Sequence, residues 1–155
     1  MNKYILLTII FLMNNIIFAH CQIPCGIYDD VLQIMRIKSD FETIRKSMGK
    51  ISELSSKSDP LSLNQINRWV ITKDQHADKI HKTISDYFLT QRVKADKSKK
   101  YIDQISTLHQ LLVSTMKCKQ TVDDNNIDIS LELVDSFVSY YFDSHGLEKL
   151  KNMSD

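Results

Sequence analysis

Glycine and proline are scarce in this chain, and their scarcity restricts it to long, uninterrupted elements. The 155 residues include three glycines and two prolines, and one of each, Gly26 and Pro24, lies close to the amino terminus. Because glycine and proline are the residues that most often end a helix or form a turn, the chain after residue 28 has few positions that would interrupt a helix. The sequence therefore predicts a protein that is helical almost throughout.

Apolar residues recur three and four positions apart in four segments, which is the spacing of one buried face of a helix. These stripes run from Val31 to Met48, from Ile66 to Phe88, from Tyr101 to Met116 and from Leu131 to Tyr141. The first helix is predicted to start near Asp29 or Asp30. Residues 127–131 alternate between apolar and polar, a pattern also typical of a strand, but a single strand would have no partner. Four amphipathic helices with short connectors predict an all-α fold, an up-down-up-down four-helix bundle.

The first nineteen residues have the pattern of a secretory signal peptide. Lys3 precedes an apolar run from Tyr4 to Met13, which is shorter than the roughly 20 residues of a membrane span, and Ala19 is a suitable residue for cleavage. An uncleaved anchor is the alternative, but the pair Asn14-Asn15 would be costly in lipid. We therefore expect removal of residues 1–19, no stable membrane span after processing, and a secretory route that ends outside the cell or in an organelle lumen.

The charge balance and the motif content exclude several classes of function. The chain has 20 basic and 19 acidic residues, and Lys3 is the only charged residue of the leader, so the processed chain is formally neutral. A neutral chain has no electrostatic footprint for nucleic acid, and we predict no nucleic acid partner. The sequence contains no phosphate-binding glycine loop, no zinc-binding His-Glu-x-x-His motif and no nucleophile elbow. Any chemistry is therefore expected at the new amino terminus.

Cleavage after Ala19 would make His20 the first residue of the processed chain, next to Cys21 and five positions before Cys25. The α-amine of His20, the backbone amide nitrogen of Cys21 and the two cysteine thiolates then form a set of two nitrogen and two sulfur donors. A deprotonated amide and thiolates favour a square-planar ion such as nickel(II) or copper(II) over tetrahedral zinc. We predict His20, Cys21 and Cys25 as metal ligands.

The residues around the second cysteine support the same arrangement. Pro24 and Gly26 bend the chain so that Cys25 reaches the plane of the other donors, and we predict these two residues as the structural turn of a metal-binding hook. The imidazole of His20 is then free to reach an axial position. Because thiolate and amidate are strongly donating anions, they stabilise a higher oxidation state, and nickel would cycle between +2 and +3.

A disulfide is the competing interpretation for the two terminal cysteines. Three cysteines cannot form a closed disulfide framework, but Cys21 and Cys25 can pair in an exported helical interaction protein and leave His20 exposed. The position of His20 at the predicted terminus favours metal binding, because cleavage completes the donor set. Cys118 is predicted to be a buried or free thiol without a ligand role.

The segment His20-Cys21-x-x-Pro24-Cys25-Gly26-x-Tyr28 resembles the amino-terminal hook of the nickel-containing superoxide dismutases. A weaker similarity continues through residues 67–70 (Asn-Arg-Trp-Val) and 85–88 (Ser-Asp-Tyr-Phe). The resemblance implies a four-helix bundle, assembly as a homohexamer and one nickel ion per subunit. It also implies that the substrate is superoxide, which is converted to oxygen and hydrogen peroxide through Ni(II)/Ni(III) cycling.

The resemblance further implies a role for each residue of the hook. His20 would supply the α-amine and an axial imidazole that depends on the oxidation state, Cys21 its amide nitrogen and thiolate, and Cys25 the second thiolate. Tyr28 would be the catalytic residue over the open axial face, where its hydroxyl orders water and limits access to small anions. The implied organisation is a signal peptide over residues 1–19, a nickel-binding hook over 20–28 and a four-helix bundle over 29–155.

Two features depart from the pattern of the family. Gln22 follows the first cysteine, where many members carry an acidic residue. In bacterial members a glutamate on the first helix and an arginine on the second orient the axial imidazole, and Arg36 and His76 occupy those places here. His76 could replace that arginine, but we favour a solvated histidine on a helix face, which leaves open the residue that orients the His20 ring.

The same hook also fits an exported protein that binds nickel or copper without turnover, and the sequence leaves this alternative open. The two functions differ in whether the bound metal consumes superoxide. The sequon Asn152-Met153-Ser154 is compatible with either exported protein, because such acceptor sites lie on the exterior of secreted proteins.

Overall fold

The computed structural model describes residues 28–154, and this part of the chain is helical with no strand. Five α-helices and one π-helix follow one another along it. They are α1 (Asp30–Leu54), α2 (Pro60–Lys82), π1 (Thr83–Arg92), α3 (Lys99–Gln120), α4 (Asn125–Tyr141) and α5 (Ser144–Ser154). The all-α bundle predicted from the apolar stripes is confirmed. None of the described helices is long and apolar enough to cross a membrane.

Polar pairs between helices show the direction in which each long helix runs. In three packed pairs, α1 with α2 and π1, α1 with α4, and α3 with α4, the residue number rises along one helix as it falls along the other, so the two helices are antiparallel. The pairs that show this register are Lys38 with Asp135, Arg45 with Asp128, Asp40 with His76, Asp30 with Tyr87, Gln104 with Tyr140 and Ser114 with Ser130. The four long helices therefore run up, down, up and down around one core.

Short polar side chains define where three of the helices begin. Asp29, Asp59 and Ser98 precede α1, α2 and α3, and a side-chain oxygen of each accepts a hydrogen bond from the backbone amide three residues later, at 3.0 to 3.1 Å. Each such bond satisfies a backbone N–H that has no partner within the helix, and so stabilises the helix start. Pro60 is the first residue of α2. A backbone N–H at this position would have no partner within the helix, so the absence of one in proline costs no hydrogen bond. The predicted start of the first helix near Asp29 is confirmed.

Residues 127–131 are helical and form no strand, as the lack of a strand partner predicts, and Ile127 and Leu131, four apart, face the core from α4. Two details differ from the sequence prediction. Met116, at the end of the third stripe, is exposed. A fifth helix, α5, follows α4 and packs against α1, with Leu150 in contact with the core.

Aromatic rings close the end of the bundle at which residue 28 is attached. The ring centroid of Phe88 lies 5.1 Å from that of Phe137 and 5.6 Å from that of Tyr141, and Tyr87 meets Phe88 at 5.1 Å. All three contacts are edge-to-face, an arrangement that aromatic rings prefer. This packing fixes the two tyrosines, whose hydroxyl groups reach the same carboxylate at the start of α1.

A buried cation joins α2 to the end of α3. The Nζ atom of Lys73 donates hydrogen bonds to the backbone oxygens of Cys118, at 3.0 Å, and Lys119. The last carbonyls of a helix lack intrahelical partners and carry partial negative charge, so an ammonium group satisfies them. Lys73 is therefore buried with its charge compensated.

Cys118 is both free and buried, which confirms that part of its prediction. Its sulfur lies 3.7 Å from the hydroxyl oxygen of Ser130 on α4. Burial raises the pKa of the thiol, which keeps it protonated at neutral pH.

Replacing Leu111 with alanine should lower the free energy of unfolding by about 2–5 kcal/mol, because the side chain is 1 % exposed and its truncation leaves a cavity. Leu63, which lies on α2 and is 55 % exposed, provides a matched control, and Leu63→Ala should cost less than about 0.5 kcal/mol. Chemical unfolding followed by circular dichroism measures both values. Equal losses in the two variants would contradict this placement of the core.

Candidate metal centre and the adjoining residues

The predicted ligands and the turn of the hook precede the described part of the chain. They are His20, Cys21, Pro24, Cys25 and Gly26, and they lie outside the described residues. Tyr28 is the first described residue, so it marks the place where the predicted hook joins the bundle. Among residues 28–154, no group of three or more histidine, cysteine, aspartate or glutamate side chains is arranged to hold a metal ion.

Tyr28 lies against the π-helix π1. Its ring is edge-on to Tyr87, with centroids 5.8 Å apart, and the Cζ atom of Arg92 lies 4.4 Å from the centre of the ring. The Tyr28 hydroxyl donates a hydrogen bond to Oε1 of Gln91 at 3.3 Å. The residue is 39 % exposed, so one side of the phenol faces solvent at the end of the bundle.

Asp30, two residues further on, collects four hydrogen bonds on one carboxylate. Nε and Nη2 of Arg92 donate to its two oxygens at 2.8 and 2.6 Å. The hydroxyl groups of Tyr87 and Tyr141 donate to it at 2.6 and 2.9 Å. The Asp30 side chain is only 14 % exposed, and its partners come from π1 and α4. The first turn of α1 is therefore tied to two other elements at one point.

The same contacts determine which of these groups carry charge. Burial on its own would raise the pKa of Asp30, but the hydrogen bonds from Arg92, Tyr87 and Tyr141 outweigh it, and the pKa lies below its usual value. Burial, together with the bonds to this carboxylate, raises the pKa of both tyrosines. At neutral pH, Asp30 is an anion, Arg92 is a cation and both tyrosines are protonated donors.

His76 is not the solvated histidine that the sequence predicts. Its Nδ1 atom lies 2.6 Å from Oδ1 of Asp40, and the histidine side chain is 23 % exposed. The prediction was wrong because the partner comes from α1, which faces this part of α2. Arg36 is exposed and lines a groove between α1 and α2 together with Asp40 and Lys79.

Sequence reasoning did not identify Asp30, Arg92 or Tyr141 as members of a site. Asp30 was assigned only to a helix start, and Tyr141 only to the core. Arg92 follows Tyr87 by five residues, and in an α-helix this spacing would place the two side chains on different faces. The one available signal was the acidic pair Asp29-Asp30 directly after Tyr28.

The fold and this cluster define a class of protein. It is a small helical bundle in which tyrosine, arginine and aspartate side chains cluster around the first described residue, Tyr28. A family model described as nickel-containing superoxide dismutase matches residues 15–145, which include the predicted hook and the four long helices. The chain belongs to the nickel-containing superoxide dismutase family, and it is an oxidoreductase that acts on superoxide. Comparisons with curated proteins and with solved structures give no match.

Replacing Asp30 with asparagine should lower the free energy of unfolding at pH 7 by about 1–3 kcal/mol, because Arg92 loses its anionic partner. The pKa of Asp30 is lowered by folding, so its stabilisation is present above the unfolded pKa of about 3.9 and is lost as the pH falls through the folded value. The difference between wild type and variant should therefore shrink in urea unfolding experiments as the pH is lowered from 7 to about 3.

Asp135 provides the matched control for this prediction. It is also paired with a cation, Lys38 at 2.7 Å, but its side chain is 65 % exposed. Asp135→Asn should change the free energy of unfolding by less than about 1 kcal/mol at every pH. A cost for Asp30→Asn that is the same at pH 7 and at pH 3 would show that its loss comes from packing and not from charge.

Proposed function

We propose that dismutation takes place at one nickel ion per subunit, held by His20, Cys21 and Cys25 in a hook over residues 20–28. The observation that supports this proposal most strongly is the family match, because residues 15–145 include all three ligands. Pro24 and Gly26 form the turn between and after the cysteines. Each chain carries one such hook, which is the basis for one nickel ion per subunit.

The chemistry of the donor set fits nickel. An α-amine, a backbone amide nitrogen and two thiolates favour a square-planar ion, and the anionic donors stabilise its oxidised state. When bound, nickel supplies one-electron chemistry between its +2 and +3 states. Two superoxide ions and two protons are converted to one molecule of oxygen and one of hydrogen peroxide. The protein contributes the ligands, the shape of the access path and the ordering of water.

Tyr28 supports the proposal from the described side of the site. It follows Cys25 by three residues, so it lies at the junction of the hook and the bundle. Its hydrogen bond to Gln91 is long, at 3.3 Å, and exposed, so water or a small anion can take the place of the amide oxygen. We assign Tyr28 the role of ordering water and limiting access to small anions.

Assembly and export are part of the same proposal. Val113 and Ile129 are exposed apolar residues that line one groove between α3 and α4, and Met116 is exposed on α3. Burial of such residues against a second copy of the chain would be favourable, so they support self-association. Following the resemblance to the family, we propose that the assembly is a homohexamer. We also propose that residues 1–19 are a signal peptide, and that the protein acts outside the cell or in an organelle lumen reached by secretion.

The variants His20→Ala and Cys25→Ser should each abolish measurable dismutation, because the first removes the axial imidazole while keeping the α-amine, and the second removes a thiolate. Cys118→Ser is the matched control, since it changes a cysteine outside the hook to a residue of similar size, and it should keep both nickel and activity. Elemental analysis gives nickel per subunit, and stopped-flow spectroscopy gives the rate of superoxide loss. Full activity in His20→Ala or Cys25→Ser would overturn the ligand assignment.

The same measurements distinguish the second candidate function. Wild-type protein that binds nickel or copper stoichiometrically but does not consume superoxide would be an exported metal-binding protein without turnover. An intact mass that shows a Cys21–Cys25 disulfide in metal-free native protein would instead favour a helical interaction protein.

One extra residue before His20 should also abolish activity. The α-amine would then be acylated as a peptide bond, and the five-membered chelate ring with the amide nitrogen of Cys21 would be lost. A glycine added after Asp155 is the control and should have no effect. Amino-terminal sequencing identifies the first residue of each purified protein. Wild-type turnover by the extended protein would contradict the proposed coordination.

A further inference from the structure

We propose that Arg92 is a positioning residue for Tyr28, and that the π-helical turns of π1 place it there. The inference rests on the proposed function, because Tyr28 would order water and small anions at the nickel site. Arg92 acts through the Tyr28 ring and needs no contact of its own with superoxide.

Two parallel hydrogen bonds fix the plane of the Arg92 guanidinium group. Nε donates to Oδ1 of Asp30 at 2.8 Å and Nη2 donates to Oδ2 at 2.6 Å, a fork geometry that a lysine cannot form. The hydroxyl groups of Tyr87 and Tyr141 hold Asp30 in turn. Since Asp30 follows Tyr28 by only two residues, the anchor of the guanidinium and the ring that it contacts belong to one short segment.

One face of the Tyr28 ring lies against this fixed guanidinium. The distance of 4.4 Å from Cζ to the ring centre is well inside the cation–π range of about 6 Å. Among the residues that the structure describes, the other contacts of the ring are weaker, namely the edge of Tyr87 at 5.8 Å and the long bond from the Tyr28 hydroxyl group to Gln91. The ring is partly exposed, so loss of Arg92 would leave these two weaker contacts to hold it against rotation towards solvent.

The π-helix explains how three side chains of one element reach Tyr28. They are Tyr87, Gln91 and Arg92. In an α-helix, five residues turn the chain through about 500°, so Arg92 would point about 140° away from Tyr87. The i→i+5 turns of π1 bring the residue five positions later back to nearly the same side. Tyr87 and Arg92 consequently bind the same oxygen, Oδ1 of Asp30.

The first test measures the NMR resonances of the Tyr28 ring. The sample is metal-free protein, purified after expression of the full-length chain. Arg92→Met removes the guanidinium group and keeps an unbranched side chain, so the ring resonances of Tyr28 should move towards those of a free tyrosine. Tyr28→Leu identifies these resonances by their loss. Arg68→Met, which changes an exposed arginine of α2, is the matched control and should leave them in place.

Arg92→Lys keeps the test decisive if Arg92→Met does not fold. Lysine retains the charge opposite Asp30 but loses the fork and the planar face, so the Tyr28 resonances should shift part of the way. Circular dichroism confirms the helical content of each variant. Tyr28 resonances that stay unchanged in a folded Arg92 variant would overturn the proposal.

The second test is a double-mutant cycle on the rate constant for superoxide loss in nickel-loaded protein. Arg92→Met should lower the rate constant about five- to tenfold when Tyr28 is present, and should have no further effect in a Tyr28→Leu background. A loss of the same size in both backgrounds would show that Arg92 acts through its charge alone, and would overturn the proposal. If wild-type protein does not consume superoxide, the proposed function fails, while the NMR result still decides the role of Arg92.

Discussion

The carboxylate of Asp30 is the interaction on which the functional end of the bundle depends. It accepts hydrogen bonds from Arg92 and from two tyrosines, and so joins the first turn of α1 to π1 and α4. A largely buried carboxylate needs partners, and the three side chains that donate to it need an acceptor, so the loss of any member leaves the others unsatisfied. These bonds hold the first turn of α1, next to Tyr28, against π1 and α4, and the aromatic packing of Phe88 and Phe137 supports them from within.

Most of the fold could be predicted because helical spacing is a local property of the sequence. The four apolar stripes located the four long helices, and the polar caps Asp29, Asp59 and Ser98 account for three of the starts. Residues 127–131 were ambiguous because five residues satisfy both a strand and a helix period. The length of the surrounding helix decides between them. Helix α5 has only 11 residues, and its apolar positions Leu147, Leu150 and Met153 form a stripe too short to be recognised as a separate helix.

The residues of the candidate site also divide into those that the sequence predicts and those that it does not. The hook is a prediction from sequence alone, because its donors lie within a few consecutive residues, and it stays a prediction since those residues precede the described part of the chain. The cluster around Asp30 could not be predicted, because Asp30 meets Arg92 and Tyr141 across 62 and 111 positions of sequence, and Arg92 reaches it only through a π-helical turn. His76 was misread for a related reason, since its partner Asp40 lies 36 positions away on another helix.

The burial of Cys118 has a consequence for a catalyst whose product is hydrogen peroxide. Peroxide oxidises the thiolate form of cysteine, and a thiol that is enclosed by α3 and α4 with a raised pKa offers neither the charge nor the access that this reaction needs. The other two cysteines, Cys21 and Cys25, lie in the amino-terminal segment, where the proposed coordination of nickel would occupy their sulfur atoms. The one cysteine of the helical scaffold is thus shielded from the peroxide that the protein's own reaction releases.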